Sequence, residues 1–296
     1  MWQLIAQAQP QGVQNTIDTL ARTPISLIVY IAGIATLLRL VLFSYTKAVP
    51  THQRGTGWNI ARIANEALDA IVYALVFVFL LIRPFGIQAF TIPTGSMVPT
   101  LKINDYIVAN KAVYRYSEPV VGDIVVFKPP ARGLPDYQKG QDVDYIKRLQ
   151  GVGGDVVEIK DYVLYRNGKA IAEPYVHYTR QTGNSSEFVD IPKTDAPRWD
   201  FKLVKHKGEY WPVLYNENSL NDFGTVPPEY VAADPNEQEQ LRAAQPAAIP
   251  PGFFLMIGDN RNNSFDGRFW GLVERKSIIG RAEFIWFPFS RWGSVR

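Results

Sequence analysis

The chain has no cysteine, which removes disulfides, thiol catalysis and cysteine-ligated metals together. Histidine is scarce. The three present, His52, His177 and His206, form neither an HExxH nor an HxxxH pair. A zinc site or a Ser-His-Asp triad therefore has little to build on, and no metal or other cofactor is expected. A Gly-x-Ser-x-Gly elbow, a P-loop and a Gly-x-Gly-x-x-Gly fingerprint are also missing. So is an excess of one charge. The net charge is +3 over 296 residues with no dense basic patch, so nucleic acid is not an expected partner. No internal repeat is visible.

What is present is an apolar N-terminal part and a β-rich remainder. Behind a tail at residues 1–24, Ile25 to Tyr45 carries one charge, Arg39. At ~1.5 Å per residue this helix can cross a hydrocarbon core of about 30 Å. Arg39 lies toward its C-terminal end, where the side chain can snorkel to the interface. A cleaved signal peptide fits less well, because it would start with a basic stretch before a shorter apolar core. A second apolar run, Ala70 to Ile82, is short for a span, and a buried core helix is the alternative. Its all-round apolar character and the helical residues upstream favour a second transmembrane helix over 67–83. The connecting loop, 46–66, holds Lys47, Arg54 and Arg62 against Glu66. The positive-inside rule puts that loop in the cytoplasm. Two spans then place everything after Arg83 outside, whereas one span would leave it inside.

Three segments carry candidate chemistry. Phe90-Thr91-Ile92-Pro93 alternates like a short strand and leads into Thr94-Gly95-Ser96-Met97-Val98-Pro99. Gly95 is read as supplying a φ that other residues resist, so that Ser96 projects. A serine hydroxyl is a poor nucleophile until a base takes its proton. The Ser96 N–H and the Thr94 hydroxyl are close in sequence and suit an oxyanion hole, where each donor is worth about 3 kcal/mol. An ordinary turn serine is the plainer alternative. The base is sought at Asp144–Leu149, a strand-like run in which alternation puts Tyr145 and Lys147 on one face, Ile146 and Arg148 on the other. Lysine acts as a base only if burial lowers its pKa from ~10.4. A solvated strand lysine is the commoner case. In the third segment, Phe253–Gly271, Asp259, Arg261, Asp266 and Arg268 can brace a polar loop. Ser264 there can hydrogen-bond a neutral lysine. A polar surface turn fits the same composition.

In this order the segments resemble the bacterial type I signal (leader) peptidases. Residues 93–101 resemble that family's "P-S-G-S-M-x-P-T-L" box. Residues 145–155 resemble "Y-I-K-R-x-x-G-x-P-G-D", and 258–271 resemble "G-D-N-R-D-N-S-x-D-S-R-x-W-G". Gly122–Phe127, and Asp105–Val108 with Asn110-Lys111, fit the intervening boxes. The resemblance covers about 65–175 and 250–290. It implies a Ser-Lys dyad, with Ser96 as nucleophile, Lys147 as general base and Ser264 orienting the lysine. It implies that Thr94 stands for a serine of the oxyanion hole and that Asp266 and Arg268 form a bracing ion pair. Phe90, Ile92, Met97, Leu101, Ile107, Tyr145 and Ile146 would line shallow apolar pockets. Asn262 departs from an aspartate, Gly267 from a serine and Gly153 from a proline.

The implied protein is a serine endopeptidase of the bacterial inner membrane, with its catalytic domain on the periplasmic face. Its partners would be secretory preproteins and the lipid bilayer, and it would cut after A-x-A-like sites through an acyl-enzyme. A related Ser-Lys processing protease, or a non-catalytic membrane-anchored β-domain of a secretion complex, are the rivals. The expected fold is a mainly β catalytic region of twisted antiparallel sheets behind two N-terminal transmembrane helices. The catalytic β domain would comprise 84–175 and 251–296, with 176–250 as an inserted β-rich lobe. Phe201–Val204 and Tyr210–Leu214 read as strands and Glu237–Ala244 as a short helix. Asn167-Gly168 reads as a hairpin turn. Trp286, Phe287, Phe289 and Trp292 are candidates for an apolar surface on the bilayer, with core packing the alternative for the first two.

Overall fold

The computed structural model describes residues 25–77, 86–135, 138–182, 187–214 and 235–295. Contacts divide the chain into two units, Met1–Ala89 and Phe90–Arg296.

In the first unit, helix α1 (Ile25–Ala48) and helix α2 (Thr56–Val76) are joined through a short turn at Thr51–Gln53 and pack together. Among the described residues one helix, Ser26–Ala48, is long and apolar enough to cross a membrane. Tyr30, Ile34, Leu37 and Val41 on α1 are exposed, which a soluble core helix would not tolerate. The second expected span, 67–83, lies only partly within the described residues. Residues 78–85 lie outside the described ones, and α2 starts at Thr56, inside the stretch expected to be a loop. The turns before the expected span carry Asn59, Arg62 and Glu66, so this part of the helix is amphipathic. Arg39 Nε of α1 lies 3.0 Å from Asp69 Oδ1 of α2, an ion pair that joins the two helices.

The second unit is built of antiparallel β-structure. One eight-stranded sheet has the order β1 (Ile87–Thr91), β2 (Tyr106–Asn110), β14 (Ile278–Phe287), β3 (Ile124–Phe127), β4 (Tyr145–Gly151), β12 (Phe253–Ile257), β13 (Val273–Glu274), with β15 (Gly293–Ser294) beside β14. A second sheet has the order β11 (Glu209–Leu214), β10 (Phe201–His206), β5 (Val157–Lys160), β6 (Val163–Arg166), β7 (Lys169–Ala170). A two-stranded ribbon pairs β8 (Thr179–Gln181) with β9 (Phe188–Asp190). Short helices α3 (Val113–Tyr116), α4 (Pro235–Ala243) and α5 (Gly267–Trp270) connect them.

Strand β3 reads as an unbroken apolar run because both its faces are covered. Ile124 and Val126 join Ile92, Met97, Leu101 and Ile107 in one core, while Val125 and Phe127 join Leu149, Met256 and Trp270 in another. Leu255 and Ile257, alternating with Met256 on β12, pack a third core against Val157, Leu164 and Phe201 of the second sheet. The described strand β10 of the stretch 176–250, expected to form an inserted lobe, is joined to the strands before it. It pairs with β5 and shares that third core. Pairing with β5 satisfies the open edge of β10, and Leu255, Ile257 and Ile249 cover the apolar face that carries Phe201 and Leu203. The expected strands and the Asn167-Gly168 turn are present, with φ of 54° and 76° at the turn, both left-handed as a two-residue hairpin requires.

Candidate active site

Thr94 is extended, and a single 3₁₀ turn, Gly95–Met97, then presents Ser96. The expected reason for glycine at 95 does not hold, because Gly95 has no left-handed φ. Space is the reason: a Cβ at Gly95 would lie 2.2 Å from Phe188 Cζ. The third segment holds this turn from the other side. Asn260 N–H donates to Ser96 O at 3.1 Å, and Asn260 Nδ2 donates to Gly95 O at 2.9 Å. Gly258 allows that close approach, since a Cβ there would meet Ser96 O at 2.6 Å and Ser264 Oγ at 2.2 Å.

Lys147 lies in β4, opposite Val125 of β3, with its neighbour Arg148 opposite Ile257 of β12. The strand is thus central, and Lys147 is 5% exposed. Its Nζ is 2.8 Å from Ser96 Oγ and 2.9 Å from Ile146 O. Burial pushes the amine down from 10.5 to about 8. The Asp266 and Asp259 carboxylates oppose that shift and the Arg268 guanidinium adds to it. A neutral amine beside a hydroxyl can accept its proton. Thr94 Oγ1 lies 3.4 Å from Ser96 Oγ.

Of the four charges expected to brace the loop, Asp266 and Arg268 form the expected ion pair, whereas Asp259 pairs with Arg148 and Arg261 with Glu173. Arg148 forms a bidentate pair with Asp259, at 2.8 Å from Nε and 2.7 Å from Nη2, and Thr100 Oγ1 donates to the same carboxylate at 2.6 Å. Arg268 pairs with Asp266 at 2.8 and 2.9 Å and also donates to Arg261 O at 2.8 Å. Arg261 pairs with Glu173. Burial raises the Asp266 carboxyl, but the Arg268 guanidinium and the Gly258 N–H more than offset this and hold it below the usual carboxylate range. Ser264 does not make the expected bond to lysine. Its Oγ faces Asp266 but reaches hydrogen-bond geometry with no described residue. The Lys147 amine is directed by Ser96 and the Ile146 carbonyl.

Of the seven expected pocket residues, Ile92, Met97, Leu101 and Ile107 are fully buried in one core, with Phe90 and Ile146 half-buried against it. Tyr145 belongs to the neighbouring core, and its hydroxyl donates to Gly133 O at 2.9 Å. Sequence reasoning missed Arg148, Asn260 and Glu173. Arg148 and Asn260 stand inside the quoted motifs, next to residues that were assigned. Nothing in the sequence marks Glu173.

Residues 64–287 match the family model for signal peptidase, peptidase S26. The chain belongs to the bacterial type I signal peptidase family. A signal peptidase I from Aquifex aeolicus (strain VF5) is 33% identical over 73% of this chain and 82% of its own length. A probable signal peptidase I-1 from Synechocystis sp. (strain ATCC 27184 / PCC 6803 / Kazusa) is 30% identical over 78% of this chain and 86% of its own. A solved signal peptidase I from Enterococcus faecalis V583 is 24% identical over 56% of this chain, with a TM-score of 0.30, too low to bear on the fold. Among the described residues of this signal peptidase, no His, Asp or Glu cluster suits a metal ion.

Proposed function

We propose that this protein is a membrane-bound serine endopeptidase that removes signal peptides from exported preproteins, with Ser96 as nucleophile and Lys147 as general base. One observation carries the reading: the buried Lys147 Nζ stands 2.8 Å from Ser96 Oγ, with its pKa lowered to about 8. Neutral Lys147 takes the Ser96 proton as Oγ attacks the scissile carbonyl carbon. The Ser96 N–H and the Thr94 hydroxyl receive the developing oxyanion. The lysine then protonates the leaving amine as the C–N bond breaks. Water, deprotonated by the same lysine, releases the signal peptide's carboxylate and regenerates Ser96.

The cleavage region would bind as an added β-strand along Phe90–Pro93 and Asp144–Ile146. Backbone pairing accepts any sequence, so selection falls to side-chain pockets with Phe90 and Ile146 at their rim, small enough to favour A-x-A-like sites. A second span made by α2 and the apolar residues after it would put the catalytic unit on the periplasmic face. The Arg39–Asp69 pair supports this arrangement, since it lets both charges enter the bilayer neutralised. Phe289 and Trp292 are exposed and stacked at 6.0 Å, which suits contact with lipid.

The test is cleavage of a preprotein by the purified full chain in detergent, with Ser96→Ala and Lys147→Ala beside it. Both variants should insert into membranes and cut nothing. Complete processing by Lys147→Ala would refute the dyad. An uncut preprotein with the parent chain would favour the non-catalytic subunit.

A further inference from the structure

The β8–β9 ribbon lies in the stretch 176–250, to which the sequence assigned no role, yet it is bonded into the site. Backbone bonds link His177 N–H to Asp259 O at 3.0 Å and Arg261 N–H to His177 O at 2.9 Å. The Asn262 side chain then mimics a strand partner: Thr179 N–H donates to its Oδ1 at 2.8 Å, and its Nδ2 donates to Thr179 O at 2.7 Å. Only an amide offers both bonds, and Asn262 stands where the resembling motif has aspartate. Asn260 Nδ2, already on Gly95 O, also donates to Thr179 Oγ1 at 2.8 Å. Opposite Gln181 across the ribbon sits Phe188, half-buried, with its ring tip over Gly95.

We propose that Phe188, on a ribbon docked by Asn262, is a positioning residue that presses the Gly95–Met97 turn into register with Lys147. The inference rests on the dyad reading above. The ring occupies the only volume a residue-95 side chain would use, so the turn is clamped between Phe188 and Asn260. Misplacing a reacting atom by about 1 Å costs on the order of a hundredfold in rate, so a loosened turn affects turnover before binding.

The test uses the full chain in detergent, with Phe188→Ala, Phe188→Met, Gly95→Ala and the Gly95→Ala/Phe188→Ala pair. Steady-state cleavage of a preprotein and amide hydrogen exchange over residues 90–101 are both measured. Phe188→Ala should lower kcat by about tenfold or more with KM held within about twofold, and should speed exchange over 90–101 but not over β10–β11. Phe188→Met, which refills the volume, should recover most of the turnover. Gly95→Ala should be nearly inactive, and adding Phe188→Ala should improve it, because the ring that obstructs the methyl is gone. Asn262→Asp should share the exchange signature, having lost the donor to Thr179 O. Unchanged exchange over 90–101 in Phe188→Ala, or an unchanged kcat, overturns the inference. Should the parent chain fail to cut, the protease reading falls, and the exchange measurement still decides whether Phe188 holds the turn.

Discussion

Replacing Lys147 by methionine should abolish cleavage and change how stability depends on pH. The lysine is charged in the unfolded chain below its ordinary pKa of 10.5, and its folded value is about 8. Folding therefore expels a proton, or holds a charge in an apolar site, at any pH below that ordinary value. The difference between the two values, at 1.36 kcal/mol per unit, is a cost of about 3 kcal/mol at neutral pH. In the window between the two values the unfolded state binds more protons, so this group makes the parent more stable as pH rises. Methionine has no such term and nearly the same length. It also forfeits the bonds to Ser96 Oγ and Ile146 O, each worth about 1 kcal/mol net, so the absolute gain at pH 7 is small and positive. The pH dependence is the cleaner quantity, because all other titrating groups cancel between parent and variant. Thermal unfolding of the two full chains in detergent, from pH 7 to 10.5, should show the stability difference, variant minus parent, falling by about 3 kcal/mol and changing sign. Parallel curves would mean that Lys147 pays no desolvation cost, and the argument for a neutral base would collapse.

The same amine sets the pH–rate profile: kcat/KM should rise about tenfold per unit up to pH 8 and level off above it, and a rate flat down to pH 5 would exclude lysine as base. Asp259→Asn leaves the buried Arg148 guanidinium without its countercharge and should cost about 3–5 kcal/mol, read as a loss of thermal stability. Gly258→Ala should cut turnover sharply, since its methyl would drive Ser96 O and Ser264 Oγ apart; an active Gly258→Ala enzyme would contradict the packing described here. Arg39→Leu should weaken association of α1 with α2, because Asp69 would be left unpaired; cross-linking between the helices in membranes measures this.

How far the sequence was legible depended on the scale of the interaction. Local chemistry could be read. Asn167-Gly168 specified its hairpin, and Phe201–Val204 and Tyr210–Leu214 were legible as strands. The turn between β5 and β6 carries no such signature, since Asp161 and Tyr162 adopt left-handed φ of 49° and 64° without a glycine. There the buried strands on either side impose the turn. The candidate dyad was legible as two motifs but not as a distance. Ser96 and Lys147 are 51 residues apart, and their approach depends on β4 lying centrally between β3 and β12 and on Asn260 holding the serine turn. Ser264 marks the limit of carrying a motif over residue by residue, because a hydroxyl in the right motif still depends on which neighbour it faces. The β8–β9 ribbon was not legible at all. Its strands are three residues each, too short for alternation to register, and two asparagine side chains dock it where no hydrophobic pattern does. Asn262 had a signal, but only as a departure from a resembling motif, and its cause appeared once Thr179 was seen on the other side of the amide. A motif records the residues that do the chemistry. What holds those residues in register need not lie inside the motif, as the Phe188 ring packed over Gly95 does not.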